Sequence, residues 1–155
     1  MSKSKLIIFR GLPASGKSTQ AQSCVPQGRD ISADDYFHTN FDRNTPYVFD
    51  GSKIAHAHQW CQSKVRTLLE DSTGLPVAVA NTNTTRWEMQ PYLDICNELG
   101  CQYEVVDLYD AGLSNEELHA RNSHGVPLEA FERMRARYEK DWQSASPIPP
   151  WLRGA

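Results

Sequence analysis

The sequence predicts an α/β domain: a parallel sheet flanked by helices on both faces. Short apolar runs around Leu6–Phe9, Pro76–Ala80 and Gln102–Leu108 read as strands, and helix-period stretches separate them. Alternation of that kind, at these lengths, implies parallel strands joined by helical crossovers. The chain has 155 residues and is 39% hydrophobic and 23% charged, which suits a single domain over 1–155, with a core of about 5–142 and an extended C-terminal tail, 143–155.

Taken in order, Lys5–Arg10 is a buried strand ending at Gly11, and Lys17–Cys24 is a helix stopped near Pro26 and Gly28. Arg29–Ser32 is a second short strand, followed by the acidic pair Asp34-Asp35, and His38–Asp50 is a polar loop. From Ser52 to Asp71, Ile54, Ala57, Cys61, Val65 and Leu68 recur at helical spacing and define an amphipathic helix. After the Pro76–Ala80 strand, Thr85 and Glu88 form a capping box for a helix ending at Gly100, with Pro91 able to displace its start. Ser114 and Glu117 form a second box, with Leu113 stapled to Leu118, for a helix to about Asn122 that breaks at Gly125 and Pro127. A last helix places Leu128, Phe131, Met134, Tyr138 and Trp142 on one face, and Pro147–Trp151 is expected to be extended.

The formal charge of −3 gives no global basic field, although a local basic groove needs only a few aligned Lys or Arg. No apolar run reaches the roughly 18 residues of a membrane span, and the apolar run after Lys5 is too short for a signal-peptide core. Four cysteines without Cys-x-x-Cys spacing read as reduced thiols packed as small hydrophobes. A cytoplasmic protein without a membrane partner is expected.

Gly11-Leu-Pro13-Ala14-Ser15-Gly16-Lys17-Ser18, with Thr19 following, satisfies Gly-x-x-x-x-Gly-Lys-Ser between a strand and a helix. Glycines let the backbone turn its N–H groups onto phosphate, Lys17 adds a cation for the β- and γ-phosphates, and the Ser18 hydroxyl can ligate Mg²⁺. The helix N-terminus also favours an anion. ATP or another nucleoside triphosphate, with Mg²⁺, is the ligand this motif predicts. Asp34 and Asp35 follow the second strand, whose C-terminal end faces the nucleotide crevice in such a sheet. A carboxylate there could take the proton of an attacking hydroxyl, or could cap a helix; one Asp could do each job.

The P-loop, Ile31-Ser-Ala-Asp-Asp-Tyr36, Asn81-Thr-Asn83 and Arg121-Asn-Ser-His-Gly-Val-Pro127 occur in that order, and the series resembles the polynucleotide kinase family of P-loop kinases, with its phage 5′-kinase and hydroxymethyluracil-DNA kinase branches. The resemblance spans about residues 5–142. It implies a kinase fold with a helical lid near Ser123–Val126, Asp34 as general base, Arg121 on the nucleotide phosphates, and Asn81 and Asn83 near the acceptor. It also implies a DNA or RNA hydroxyl as acceptor; Asp35 beside the base, Phe37 in the aromatic loop and His58 on the following helix are read on the substrate side from their positions. Two positions depart from the family: Phe37 stands where the phage 5′-kinase has an arginine, and Ala80-Asn81 lacks a carboxylate. An acceptor in the form of a nucleoside, sugar or antibiotic stays open, as does a nucleotide-binding switch.

From the residues alone, His58-Gln-Trp60 reads either as acceptor pocket or as core. Arg133 and Arg137 read either as surface ion pairs or as a basic ridge for phosphates. Trp87, Trp142 and Trp151 are candidate base-stacking residues, with Trp142 assigned to the apolar stripe.

Overall fold

The computed structural model describes residues 3–154, and within them four parallel strands form one sheet in the order β2-β3-β1-β4. The strands are β1 (Leu6–Gly11), β2 (Asp30–Ile31), β3 (Val77–Ala80) and β4 (Tyr103–Tyr109). The crossovers are α1 (Lys17–Cys24), α2 (Ile54–Glu70) and α3 (Arg86–Leu99), and α4 (Asn115–Arg121) and α5 (Leu128–Arg137) follow β4.

Strand alternation sorts the core onto two faces. Leu6, Ile8, Val77 and Val79 pack with Ala57, Cys61 and Val65 of α2 and with Met89, Tyr92 and Cys96 of α3. Phe9, Ala78 and Ala80 point the other way, onto Ala21 of α1 and Val25. A third cluster sets Leu12 of the phosphate loop against Leu118, Phe131 and Tyr138, so α4 and α5 are anchored on the loop itself.

The Ser114/Glu117 capping box forms, and at the start of α3 Thr85 N–H donates to Glu88 Oε2 (3.2 Å) while Thr85 Oγ1 is unpartnered among the described residues. Pro91 lies inside α3 without displacing its start. The last helix is shorter than its apolar stripe suggested: it ends at Arg137, Tyr138 turns to extended backbone, and Trp142 begins a separate 3₁₀ turn packed on the main core. The tail is also corrected. Pro150–Leu152 is a 3₁₀ turn, and Arg153 fastens it by donating to Glu139 Oε2 (2.7 Å) and to the carbonyls of Ser146 and Ile148. Cys24 is exposed, whereas Cys61, Cys96 and Cys101 are buried thiols. Among the described residues, no helix is long and apolar enough to cross a membrane.

Buried Arg29 joins the end of α2 to the sheet. It donates to Asp71 Oδ2 (2.6 Å) and to the carbonyls of Leu68, Leu75 and Pro76. The Arg29 hydrogen bond, followed by that of Thr73, pulls the Asp71 carboxyl down to about 2. Its unfolded value is about 3.9, so the pair's stabilisation is complete above that pH and disappears as pH falls through 2. The melting-temperature gap between wild type and Asp71→Asn should therefore be constant from neutral pH to about pH 5 and close towards pH 2. A gap that persists unchanged at pH 2 would remove the ionic origin of this link.

Candidate active site

The phosphate loop is shaped by its neighbours. Gly11 N–H donates to Thr82 O beyond β3 (3.1 Å) and Leu12 N–H to Tyr109 O at the end of β4 (2.8 Å), so both adjacent strands hold its first residues. A Cβ on Gly11 would meet Ser15 Oγ at 2.6 Å and Tyr109 O at 3.1 Å, which excludes any side chain there. Ala14 (φ 66) and Gly16 (φ 100) take left-handed backbone, reversing the chain so that α1 starts at Lys17. Pro13 and Ala14 are half-buried and Thr19 is exposed. Ser15 Oγ is buried and unpartnered among the described residues. Lys17 Nζ donates to the carbonyls of Gly11 (3.0 Å) and Leu12 (2.9 Å). Burial pulls this ammonium down to about 8, and the charge of Asp34 opposes that shift.

The two aspartates have separate jobs. Ser32 and Asp35 form a capping box on the 3₁₀ turn Ala33–Phe37, Ser32 N–H donating to Asp35 Oδ2 (3.0 Å). Arg43 then clamps Asp35 through both carboxylate oxygens (2.6 and 2.8 Å) and donates to Asp30 Oδ2 (2.6 Å). Asp35 is thus buried, with both oxygens held by Arg43, and it still borders the cleft. Asp34, half exposed, lines a cleft of about 210 Å³ with Ser18, Gln22, Ser32, Asp35, His38, Arg43 and His124. Tyr47 OH donates to Asp34 Oδ1 (3.1 Å), and His124 Nδ1 lies 3.3 Å from Oδ2. Burial works to raise the Asp34 carboxyl, but the His124 and Tyr47 hydrogen bonds and the charges of His124 and Lys17 outweigh it, and the net shift is downward. The Asp34 hydrogen bond raises His124 in turn.

Other expected positions divide. Asn81 is buried: its Oδ1 accepts from Ala33 N–H (2.9 Å) and its Nδ2 donates to Tyr92 OH (3.3 Å). Asn83 is buried and donates to Phe9 O (3.3 Å). Both side chains act as internal braces, and Asn81 ties the turn that carries Asp34 to the end of β3. Phe37 packs edge-on against Tyr36 and Tyr47 and close to Phe49. His58 is exposed on α2 and Trp60 half-buried, stacked with Phe41. Arg121 is exposed at the end of α4 and is not in the wall of the Asp34 cleft. Arg137 donates to Thr84 Oγ1 (2.9 Å), which removes it from a free basic ridge. Trp151 is exposed and meets Trp87 edge-on.

Arg43 is a cleft residue that the sequence does not single out, whereas His124 falls within the expected lid segment and Tyr47 within the aromatic loop. Ser32-x-x-Asp35 carries a capping-box spacing that could have freed Asp34 for the cleft. Nothing local marks the contact of Tyr47 and His124 with Asp34, which lies elsewhere in the sequence.

Sheet, phosphate loop and flanking helices define a P-loop kinase fold. Residues 6–140 match the AAA domain family, and the chain belongs to it. Human NEDD4-binding protein 2 (Homo sapiens) is 34% identical over 142 residues, which cover 87% of this chain but only 8% of that protein. Among solved structures, a chain of the Pnkp1/Rnl/Hen1 RNA repair complex superposes with a TM-score of 0.67 at 18% identity, covering all of this chain and 52% of that one. A gluconokinase from Sinorhizobium meliloti 1021 (TM-score 0.53, 16% identity, 93% and 80% covered) shares the fold, as does the APS kinase CysC of Mycobacterium tuberculosis (0.50, 18%, 73% and 80%).

Proposed function

We propose that the chain is a kinase that moves the γ-phosphoryl group of ATP onto a hydroxyl carried by nucleic acid. The observation that carries the reading is Asp34: an ionised carboxylate, half exposed, in one cleft with Ser18 and within the electrostatic reach of Lys17. The loop residues fit a triphosphate. Ser15 Oγ is an unused hydroxyl within the loop, Gly11 leaves no side chain over it, and Lys17 sits at the start of α1. Mg²⁺ prefers oxygen ligands and keeps several waters. The Ser18 hydroxyl, which lines the cleft, would hold it together with the phosphates and waters.

In this reading Lys17 binds the phosphates, with Arg121 reaching them when the loop after α4 closes. The metal, when bound, neutralises phosphate charge. Asp34 accepts the proton of the acceptor hydroxyl as its oxygen bonds to the γ-phosphorus. The bond to the bridging oxygen breaks, and ADP leaves with that electron pair.

Support for a base-bearing acceptor comes from the loop after Asp34. Phe41 is 48% exposed and stacked on Trp60 (4.7 Å, 15°), and Phe49 is 54% exposed beside Phe37. These rings offer stacking faces near the cleft, the kind of contact that holds unpaired bases. The RNA repair complex, one of whose chains shares this fold, points the same way. The cleft's modest volume favours a second reading, a small-molecule hydroxyl.

Transfer of label from γ-labelled ATP separates them. The acceptors are oligonucleotides with free 5′-hydroxyls, end-blocked DNA containing hydroxymethyluracil, RNA, and free nucleosides. We expect label on nucleic acid; label on nucleosides alone would favour the second reading, and no acceptor-dependent transfer with ATP still bound would remove the nucleic-acid assignment.

A further inference from the structure

The geometry points to Tyr47 and His124 as a clasp that fixes the Asp34 carboxylate and fastens the α4–α5 loop over the cleft in the same contact. The inference rests on the reading of Asp34 as the base.

Three segments distant in sequence meet at one carboxylate: the turn after β2, the loop between Phe37 and Gly51, and the loop between α4 and α5. Tyr47 OH engages Oδ1 and His124 Nδ1 engages Oδ2. Each oxygen keeps a second lone pair, so both donors can stay in place while the carboxylate takes a proton from a third group. A surface aspartate with both side-chain torsions free would spread its lone pairs over many directions, and a hydroxyl donor on Oδ1 with an imidazole ion-pair partner at Oδ2 narrows them.

The donors are also joined to each other. The rings of Tyr47 and His124 stack at 4.2 Å and 16°. Tyr47 is held from its own side by His38 (5.4 Å), whose Nδ1 is 2.8 Å from Thr45 O, and by the edge of Phe37 (6.0 Å). His124 arrives on a preformed loop. Asn122 Oδ1 accepts from Val126 N–H (3.0 Å), Asn122 Nδ2 donates to His119 O (2.8 Å), and Gly125 takes the left-handed turn (φ 71). Movement of this loop therefore breaks the stack and the Asp34 contact together. Closing the loop and aiming the base become one event, which limits transfer to a covered site. Tyr47 and His124 are positioning residues; neither is assigned contact with the reacting atoms.

The test uses two near-isosteric variants. Tyr47→Phe keeps the ring stack and removes one donor, whereas His124→Asn keeps a donor and removes the stack. The first readout is backbone hydrogen exchange over residues 122–127 in the full chain without ligand. His124→Asn and Asp34→Asn should both raise it several-fold, with core exchange unchanged. The second is transfer from ATP to the labelled-oligonucleotide panel. Each variant should lower kcat by about tenfold at unchanged ATP affinity, and neither should lower it further in an Asp34→Asn background. A merely structural role would instead lower core protection and ATP binding together. Unchanged exchange over 122–127 in His124→Asn, or wild-type kcat in both variants, overturns the clasp while Asp34→Asn remains inactive. Wild-type transfer by Asp34→Asn overturns the base assignment instead.

Discussion

Asp34→Asn is expected to lower phosphoryl transfer by about 10²- to 10⁴-fold, the usual contribution of a positioned general base, while ATP binds as in wild type. Asparagine has the same shape and can still accept from Tyr47 OH, so the turn that carries it stays in place, but it has no basic lone pair for the acceptor proton. Binding is spared because the phosphate loop is built from Gly11, Ser15, Gly16, Lys17 and Ser18, and its backbone contacts run to Thr82 and Tyr109. A second effect needs no substrate. The Asp34 hydrogen bond is the largest influence raising His124, against burial, so the imidazole should titrate lower in the variant. Protonated His124 stabilises the wild-type clasp below its raised pKa and loses that contribution as pH rises through it. NMR titration of the His124 ring reads the shift directly. Equal loss of ATP binding and transfer in a folded variant would count against Asp34 as base, and an unmoved His124 titration would deny the contact.

What could be read from the sequence follows the range of the interactions. The phosphate loop, the helix starts at Thr85 and Ser114 and the helix periodicity of α2 are written within a few residues of the groups they organise, and the structure has them where expected. Asp34 and Asp35 mark the boundary. Their neighbourhood was legible, but the division of labour depends on Arg43, whose guanidinium is recruited by Asp30 and Asp35 and has no signature of its own. Asn81 and Asn83 followed the resemblance rather than a physical argument, and burial assigns both side chains to internal carbonyl, amide and hydroxyl partners. The tail failed for a different reason. Its prolines forbid α-helix but leave 3₁₀ turns open, and Arg153 on Glu139 decides the conformation from outside the segment.

Arg10 carries the largest stability effect and was invisible to periodicity, because a charged residue closing an apolar strand reads as its solvent-exposed end. The side chain is 0% exposed. Nε donates to Asn83 O (3.0 Å), Nη2 to Thr84 O (3.0 Å), and Nη1 to Glu139 O (2.8 Å) and Asp107 Oδ2 (3.2 Å), with the guanidinium over the Tyr138 ring at 4.3 Å. One cation thus joins the end of β1 to the start of α3, to β4 and to the segment after α5. A buried guanidinium is costly to desolvate, but removing it alone leaves the Asn83 and Glu139 carbonyls without a donor and takes the cation from Asp107, which keeps Tyr138 OH and Tyr109 N–H, a loss of about 3–5 kcal/mol. Arg10→Met fills much of the volume and restores none of the donors, so its melting temperature should fall by roughly 6–20 °C, taking about 2–4 °C per kcal/mol for a domain of this size. Arg10→Lys should recover little, since one ammonium cannot reach acceptors spread around a planar fork. A drop of only one or two degrees would mean that the linked segments are held by the apolar core alone. Because Arg10 immediately precedes Gly11, loosening it also loosens the phosphate loop, and the variant should lose ATP affinity along with stability. That pattern is the inverse of Asp34→Asn, so calorimetric ATP titration of the two variants separates the group that maintains the site from the group proposed to act in it.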